Sequence, residues 1–195
     1  IILPSNENFN CGESFTDVRD NRMYTTELVG NQCWMRENLN YGIQVTQFHQ
    51  QYDNCIPEKY CFTNNENNCT QWGGLYQWNE LMQYLVIEPV QGLCPPEWHV
   101  ATASEWEAMV LALGGPGNAG DSLKSGANSN FNSLFSGLLY QNTQYAFPDE
   151  GTFFWTSTIH NPDESVARGI NIINPSVSRY HSNHSNAFST RCIKD

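Results

Sequence analysis

Seven cysteines in a chain of 195 residues constrain the fold more than any other feature. They stand at Cys11, Cys33, Cys55, Cys61, Cys69, Cys94 and Cys192. There is no Cys-x-x-Cys pair and no Cys/His cluster at zinc-finger spacing, which argues against a structural zinc site. Cross-linking in an oxidising compartment is the reading that remains, and it places the chain outside a cell or on its surface. Spacing does not give the connectivity, and an odd count leaves one thiol over.

The length suits one large domain with a substantial core, and 13% aromatic residues argue for a packed globule over a disordered chain. A formal charge of −11 and a pI of about 4.7 count against a nucleic-acid partner, since phosphate binding needs the Lys and Arg that are scarce here. No apolar run approaches the roughly 20 residues that span a bilayer. Ile1–Leu3 is too short to be the apolar centre of a signal peptide.

Local patterns predict a mixture of helices and strands. Residues 1–10 read as a lead-in, and residues 11–195 as a single domain. Met23–Val29 reads as a strand between the turn-formers Asp20-Asn21 and Gly30-Asn31. Residues 49–71, rich in Asn and with three cysteines, read as a stapled loop. Leu75, Trp78, Leu81, Met82 and Leu85 recur at helical spacing, predicting a helix over 75–85. A second helix starts near Ala103, where Thr102-x-x-Glu105 matches a capping box and Trp106, Met109, Val110 and Leu113 form an apolar stripe. Gly114–Gly117 ends it. Short strands follow, clearest at Phe153–Ser157 and Ser189–Ile193, and the sum is an α+β fold.

Five segments occur in a fixed order: QCWMRENLNYG (32–42), WGGLYQW (72–78), CPPEWHVATASEW (94–106), FFWTST (153–158) and FSTRCIKD (188–195). Together they resemble the Fibrobacter succinogenes major paralogous domain, a C-type-lectin-like family of bacterial and archaeal surface proteins. The likeness runs from about Cys11 to Asp195. Glu97 departs from it, standing where a glycine is usual before Trp-His, and so does Val100-Ala101, where Leu-Pro is common. The resemblance implies a C-type-lectin-like α+β fold with two helices, short antiparallel strands and long disulfide-stapled loops. It implies the pairs Cys11–Cys33, Cys61–Cys69 and Cys94–Cys192, with Cys55 left odd. Thr102–Trp106 is also similar to the formylglycine-generating enzymes, which share that architecture, but a fold does not carry a function with it.

Enzymatic and metal-dependent readings find little footing. Calcium-dependent lectins use Gln-Pro-Asp or Glu-Pro-Asn followed by Trp-Asn-Asp, a set of hard oxygen ligands. This chain offers only Glu88-Pro89-Val90 and Asn161-Pro162-Asp163, the latter read as a surface turn. Formylglycine generators work through two C-terminal cysteines, against Cys192 alone here. His99 is read as structural, and His181-x-x-His184 does not put both rings on one face of a strand. No catalytic residue, metal ligand or cofactor is assigned.

The C-terminal segment, 153–195, is read as a ligand-binding region. Between Ile159 and Ile193 only Glu164 belongs to the group Glu, Gln, Lys, Met and Trp, which fills about a fifth of the preceding chain. Randomising the adenines of AAC or AAT codons yields fifteen amino acids and never those five. Diversity-generating retroelements mutate adenines in this manner, and their variable proteins are C-type-lectin-like with the variable region at the C-terminus. The segment resembles such a region, framed by FFWTST and FSTRCIKD. The binding residues expected are His160, Asn161, Asp163, Arg168, Asn171, Asn174, Ser176, Ser178, Tyr180, His181, Asn183, His184 and Asn186. Their mixture of Tyr, His, Ser and Asn is that of adaptable paratopes, each Asn carrying both donors and acceptors. Arg168 and Arg179 are read as anchors or as salt-bridge partners of carboxylates. The expected ligand is a macromolecule, a protein ahead of a glycan. The alternatives are a non-variable adhesin or glycan-binding domain, and a formylglycine-generator-like oxidase.

Overall fold

The protein is described by a computed structural model covering residues 9–195. Most of the lead-in lies outside the described residues. Phe9, within the described part of it, packs edge-on against Phe15 and Trp98.

β1 (Ser14–Asp17), β2 (Arg22–Val29) and β3 (Gln32–Met35) form a meander, with β2 at the expected strand. Asn21 and Gly30 turn it at φ 60° and 67°, a conformation that asparagine and glycine adopt with little strain. β4 (Ile43–Val45) and β5 (Glu58–Tyr60) pair in parallel. α1 (Glu66–Trp72) lies inside the stretch read as a loop, its start capped by the Asn65 side chain.

The helix expected over 75–85 shrinks to one turn. Leu75 exchanges backbone hydrogen bonds with Tyr60, and β6 (Tyr76–Gln77) pairs with Phe188 and Ala187. These long-range partners claim the backbone before a helix can start, leaving only α2 (Trp78–Leu81). Gln83 and Tyr84, at φ 52° and 59°, close the segment, and Leu85 is exposed.

β7 (Trp98–Val100) leads to α3 (Ala103–Ala112), which opens on the expected capping box. Thr102 Oγ1 accepts from the Glu105 amide, and the Glu105 carboxylate accepts from the Thr102 amide at 2.7 Å. α4 (Ala119–Leu123) follows, so the described residues hold four α-helices and one short 3-10 helix (Phe62–Asn64), not two helices. Then come β8 (Ser136–Tyr140), β9 (Gln144–Pro148), β10 (Gly151–Asn161), β11 (Glu164–Asn171), β12 (Val177–Asn183), β13 (Ala187–Phe188) and β14 (Cys192–Lys194). The class is α+β, although β10 is long and β8 meets it in parallel.

One sheet runs β1-β2-β3-β14-β7, a larger one runs β12-β11-β10-β8-β13-β6 with β9 on β8, and β4-β5 is a third of two strands. β10 separates two cores, as the period of two along a strand requires. Trp155 joins Trp78, Trp98, Ala167 and Phe188, while Phe154 joins Trp34, Trp106, Ile170 and Val177. The three disulfides are Cys11–Cys33, Cys61–Cys69 and Cys94–Cys192, and Cys55 is free and exposed.

The strand expected over Ser189–Ile193 breaks at Thr190-Arg191, where the Arg191 side chain turns inward. Its guanidinium is fully buried, with no carboxylate of the described residues in bonding contact. It donates to Asn38 Oδ1 at 2.6 Å and to the carbonyls of Met35, Phe131 and Asn132 at 3.0, 2.6 and 3.0 Å. Burial pulls its pKa down to about 9, against the opposing charge of Glu37, so it stays protonated at neutral pH.

Candidate functional site

β10, β11 and β12 form an antiparallel meander whose last strand is the free edge of the larger sheet. Alternation assigns each side chain of β11 to one of two faces. Val166, Arg168 and Ile170 lie on the face that carries α3, while Ala167 and Gly169 lie on the other. Residues paired directly across strands share a face. Val166 pairs with His181 and Arg168 with Arg179, whereas Ala167 pairs with Tyr180 and Gly169 with Ser178.

The expected binding residues therefore divide. On the face opposite α3, Tyr180 and Ser178 stand with Asn171, Asn174 and Ser176 around a depression of about 220 Å³. Phe147 and Phe153 complete its wall, and neither belongs to the depleted segment. The ring of Phe153 lies 5.9 Å from Tyr180 and 6.0 Å from Phe147. Gly169 lies beneath Tyr180: a Cβ there would come within 2.6 Å of a Tyr180 ring carbon. On the α3 face, the exposed rings of His160 and His181 stack with centroids 3.5 Å apart.

Two of the thirteen residues turn inward. Arg168 is only 2% exposed and donates to Glu107 at 3.0 Å and to the Ala103 carbonyl at 3.1 Å. It fastens β11 to α3, which is the salt-bridge role and not that of an exposed anchor. Arg179, paired with it, remains exposed. Asn186 is buried between Ser182 Oγ and the Gln141 amide. His184 is half-buried, stacked on Trp78 at 4.4 Å and bonded through Nε2 to Ser165 Oγ at 2.7 Å. Burial pulls its pKa below the ordinary histidine value, although Asp163 and Glu164 pull the other way. His181 and His184 thus pack against different partners.

The asparagines also differ from expectation. Asn161, Asn171, Asn174 and Asn183 each use the side-chain carbonyl within their own turn, accepting from the amide two residues on at 2.9 to 3.0 Å. Asn161 further commits its amide to Glu164 at 2.7 Å, and the exposed Asp163 sits in that β10–β11 turn. Asn174 and Asn183 accept a second bond from the hydroxyls of Ser176 and Ser185, which fills both lone pairs and leaves them presenting donors, whereas Asn171 accepts only one. The signal was in the sequence, because N-P-D, N-I-I, N-P-S and N-H-S lie at the ends of strands.

Two framework features lie at β7, in the other sheet. His99 Nδ1 meets Asp195 Oδ1 at 2.6 Å and its Nε2 meets Glu105 Oε1 at 2.9 Å, joining β7, α3 and the last residue. Burial alone would lower the His99 pKa, but these two carboxylates outweigh it and raise it. Glu97 sits at φ 69°, the conformation that the glycine usual at this position would adopt freely. Among the described residues no helix is long and apolar enough to cross a membrane.

The sequence model of the family described as the Fibrobacter succinogenes major domain matches residues 28–194. No curated protein and no solved structure matches the chain. The matched span holds four of the five ordered motifs whole and all but the last residue of FSTRCIKD, and it includes the whole β10–β12 edge, so the chain belongs to the Fibrobacter succinogenes major domain family.

Proposed function

We propose that this chain is a surface-displayed binding module, C-type-lectin-like in architecture, whose C-terminal edge is diversified by adenine mutagenesis and recognises a macromolecular ligand without catalysing a reaction. The observation that carries the proposal is the near absence of Glu, Gln, Lys, Met and Trp from Ile159 to Ile193. The geometry supports it in two ways. His160, Asp163, Asn171, Asn174, Tyr180, His181 and Asn183 are exposed, while Val166, Ala167, Ile170 and Val177 pack beneath them and give the edge a fixed floor. Glu164, the exception, holds the β10–β11 turn through Asn161, a structural duty. Three disulfides suit an extracellular setting.

The gene sequence tests this reading. Codons for the exposed residues should be derivable from AAC or AAT, and a near-identical template repeat beside a reverse-transcriptase gene should differ from them only where the template has adenine. Ordinary mixed codons at positions 160, 171, 174, 180 and 181, with no such repeat, would refute it.

A further inference from the structure

We infer that His160 and His181 form a two-histidine site for a transition-metal ion, with Cu2+ the ion held most tightly. The inference stands apart from the binding-edge reading, since it needs neither diversification nor a macromolecular ligand. It rests on where the fold leaves these two rings and on how it uses the other three histidines of the chain.

His49 meets Glu58 at 3.1 Å, His99 is held between Glu105 and Asp195, and His184 bonds Ser165 and stacks on Trp78. His160 and His181 are exposed, and among the described residues neither ring has a hydrogen-bond or ion-pair partner. Their ring nitrogens are not spent on the protein, and each neutral imidazole keeps one lone pair for a metal.

The rings meet although their strands do not. β11 separates β10 from β12, which puts the two backbones roughly 9–10 Å apart at the ordinary strand spacing. His181 pairs directly with Val166 on β11. A bulge brings the other ring to it: Ile159 pairs with Ser165 and Asn161 with Glu164, so His160 is the extra residue of β10. An inserted residue re-aims its side chain, and here the His160 ring lies on that of His181, with centroids 3.5 Å and planes 15° apart. Along the chain the near neighbour of His181 is His184, which packs elsewhere; the topology supplies the partner.

A nitrogen lone pair lies in the plane of its ring, so parallel rings present their lone pairs side by side. Holding one ion at about 2.0–2.1 Å from a nitrogen of each requires the rings to splay. Both are exposed, and the Cβ–Cγ torsion of histidine is broad, so this opening is easy. The splayed pair, not the stack, is the arrangement that chelates. Imidazole suits Cu2+, Ni2+ and Zn2+, with Cu2+ at the top of the divalent series, whereas Mg2+ and Ca2+ take oxygen ligands. Arg179, two residues from His181 on the same face, opposes a cation, while the exposed Asp163 of the adjoining turn and the net charge of −11 favour one. No group of three His, Cys, Asp or Glu among the described residues is placed to hold a metal, so the protein supplies two ligands and the other positions stay open to water.

The test is isothermal titration of the full chain carrying Cys55→Ser, which removes the exposed thiol as a competing ligand and reductant. One equivalent of Cu2+ is expected to bind, Ni2+ and Zn2+ at least tenfold more weakly, and Ca2+ not at all. His160→Ala and His181→Ala should each weaken Cu2+ at least tenfold, and the double variant little further, because one ring alone does not chelate. His49→Ala should stay within twofold. Electron paramagnetic resonance of the Cu2+ form should show two nitrogen ligands, and one in either single variant. His160→Gln, of similar length and without a ring nitrogen, repeats the test if alanine disturbs the bulge. Absence of Cu2+ binding, binding that survives undiminished in the double variant, or dependence on only one of the two histidines overturns the inference.

Discussion

Replacing Arg191 with methionine removes four charge-assisted hydrogen bonds from a site with no solvent to replace them. The acceptors are Asn38 Oδ1 and the carbonyls of Met35, Phe131 and Asn132, drawn from segments far apart in sequence. The guanidinium also lies over the ring of Phe131 at 4.5 Å. A hydrogen bond to a charged group contributes a net of about 1.5–3 kcal/mol, and each acceptor left buried and unpaired costs about 1–3 kcal/mol. These figures do not add, because the wild type already carries the cost of desolvating a cation and the cavity can partly relax. With part of the four acceptors' cost of about 1–3 kcal/mol each offset by relaxation and by relief of the cation's desolvation, a loss of about 3–5 kcal/mol is expected for Arg191→Met. Against a total stability of about 5–15 kcal/mol, that is a large share. Arg191→Lys keeps the charge but offers one ammonium to a fork-shaped set of acceptors, and about half the loss is expected. Guanidinium chloride titration of the oxidised protein, followed by far-UV circular dichroism, measures both. A loss under about 1 kcal/mol for Arg191→Met, at unchanged slope, would refute the view that this cation organises the junction of Met35, Phe131 and β14. Should that variant fail to fold, the lysine variant tests the same point.

Three further outcomes are expected. Glu97→Gly relieves a left-handed residue and should raise the denaturation midpoint by about 0.5–1 kcal/mol of stability, since its half-exposed contact with Lys194 at 3.5 Å contributes little; a lower midpoint would contradict the strain argument. The raised pKa of His99 means that its stabilisation is fully present below the unfolded-state pKa of about 6.5 and is lost as pH rises through the higher folded value. His99→Gln should therefore lose stability at pH 5.5 and much less at pH 9, and an equal loss at both would sink the charge-pair account. Breaking Cys94–Cys192, which spans 98 residues, by the double change to alanine should cost about 4–5 kcal/mol in the loop-entropy account, a value that calorimetry can check.

Several elements were legible because their causes are local or covalent. The capping box at Thr102 and Glu105 and the stripe of Trp106, Met109 and Val110 specify α3 within a few turns of chain, and α3 forms there. The β2 strand lies between turn-formers that the structure uses as turns. The odd cysteine, Cys55, is the free one, as the family resemblance implied. Glu97 marked a departure whose meaning became visible only as a backbone angle.

What depended on partners distant in sequence was not legible. Leu75–Leu85 carries helical spacing, yet Tyr60 and Phe188 bind its first residues into strand pairing, because long-range hydrogen bonds outweigh a weak local preference. The sequence by itself determined the class, the cysteine chemistry, the family and the restricted alphabet of the C-terminal edge, all of which are properties of residue type and order. Only the tertiary structure decided that Arg168 braces α3, that the asparagines commit their carbonyls to turns, and that Tyr180 and His181 stand on opposite faces. The physical reason is that a side chain's availability to a ligand is what remains after the fold has used its hydrogen bonds and its surface, and that remainder depends on neighbours brought in from elsewhere in the chain.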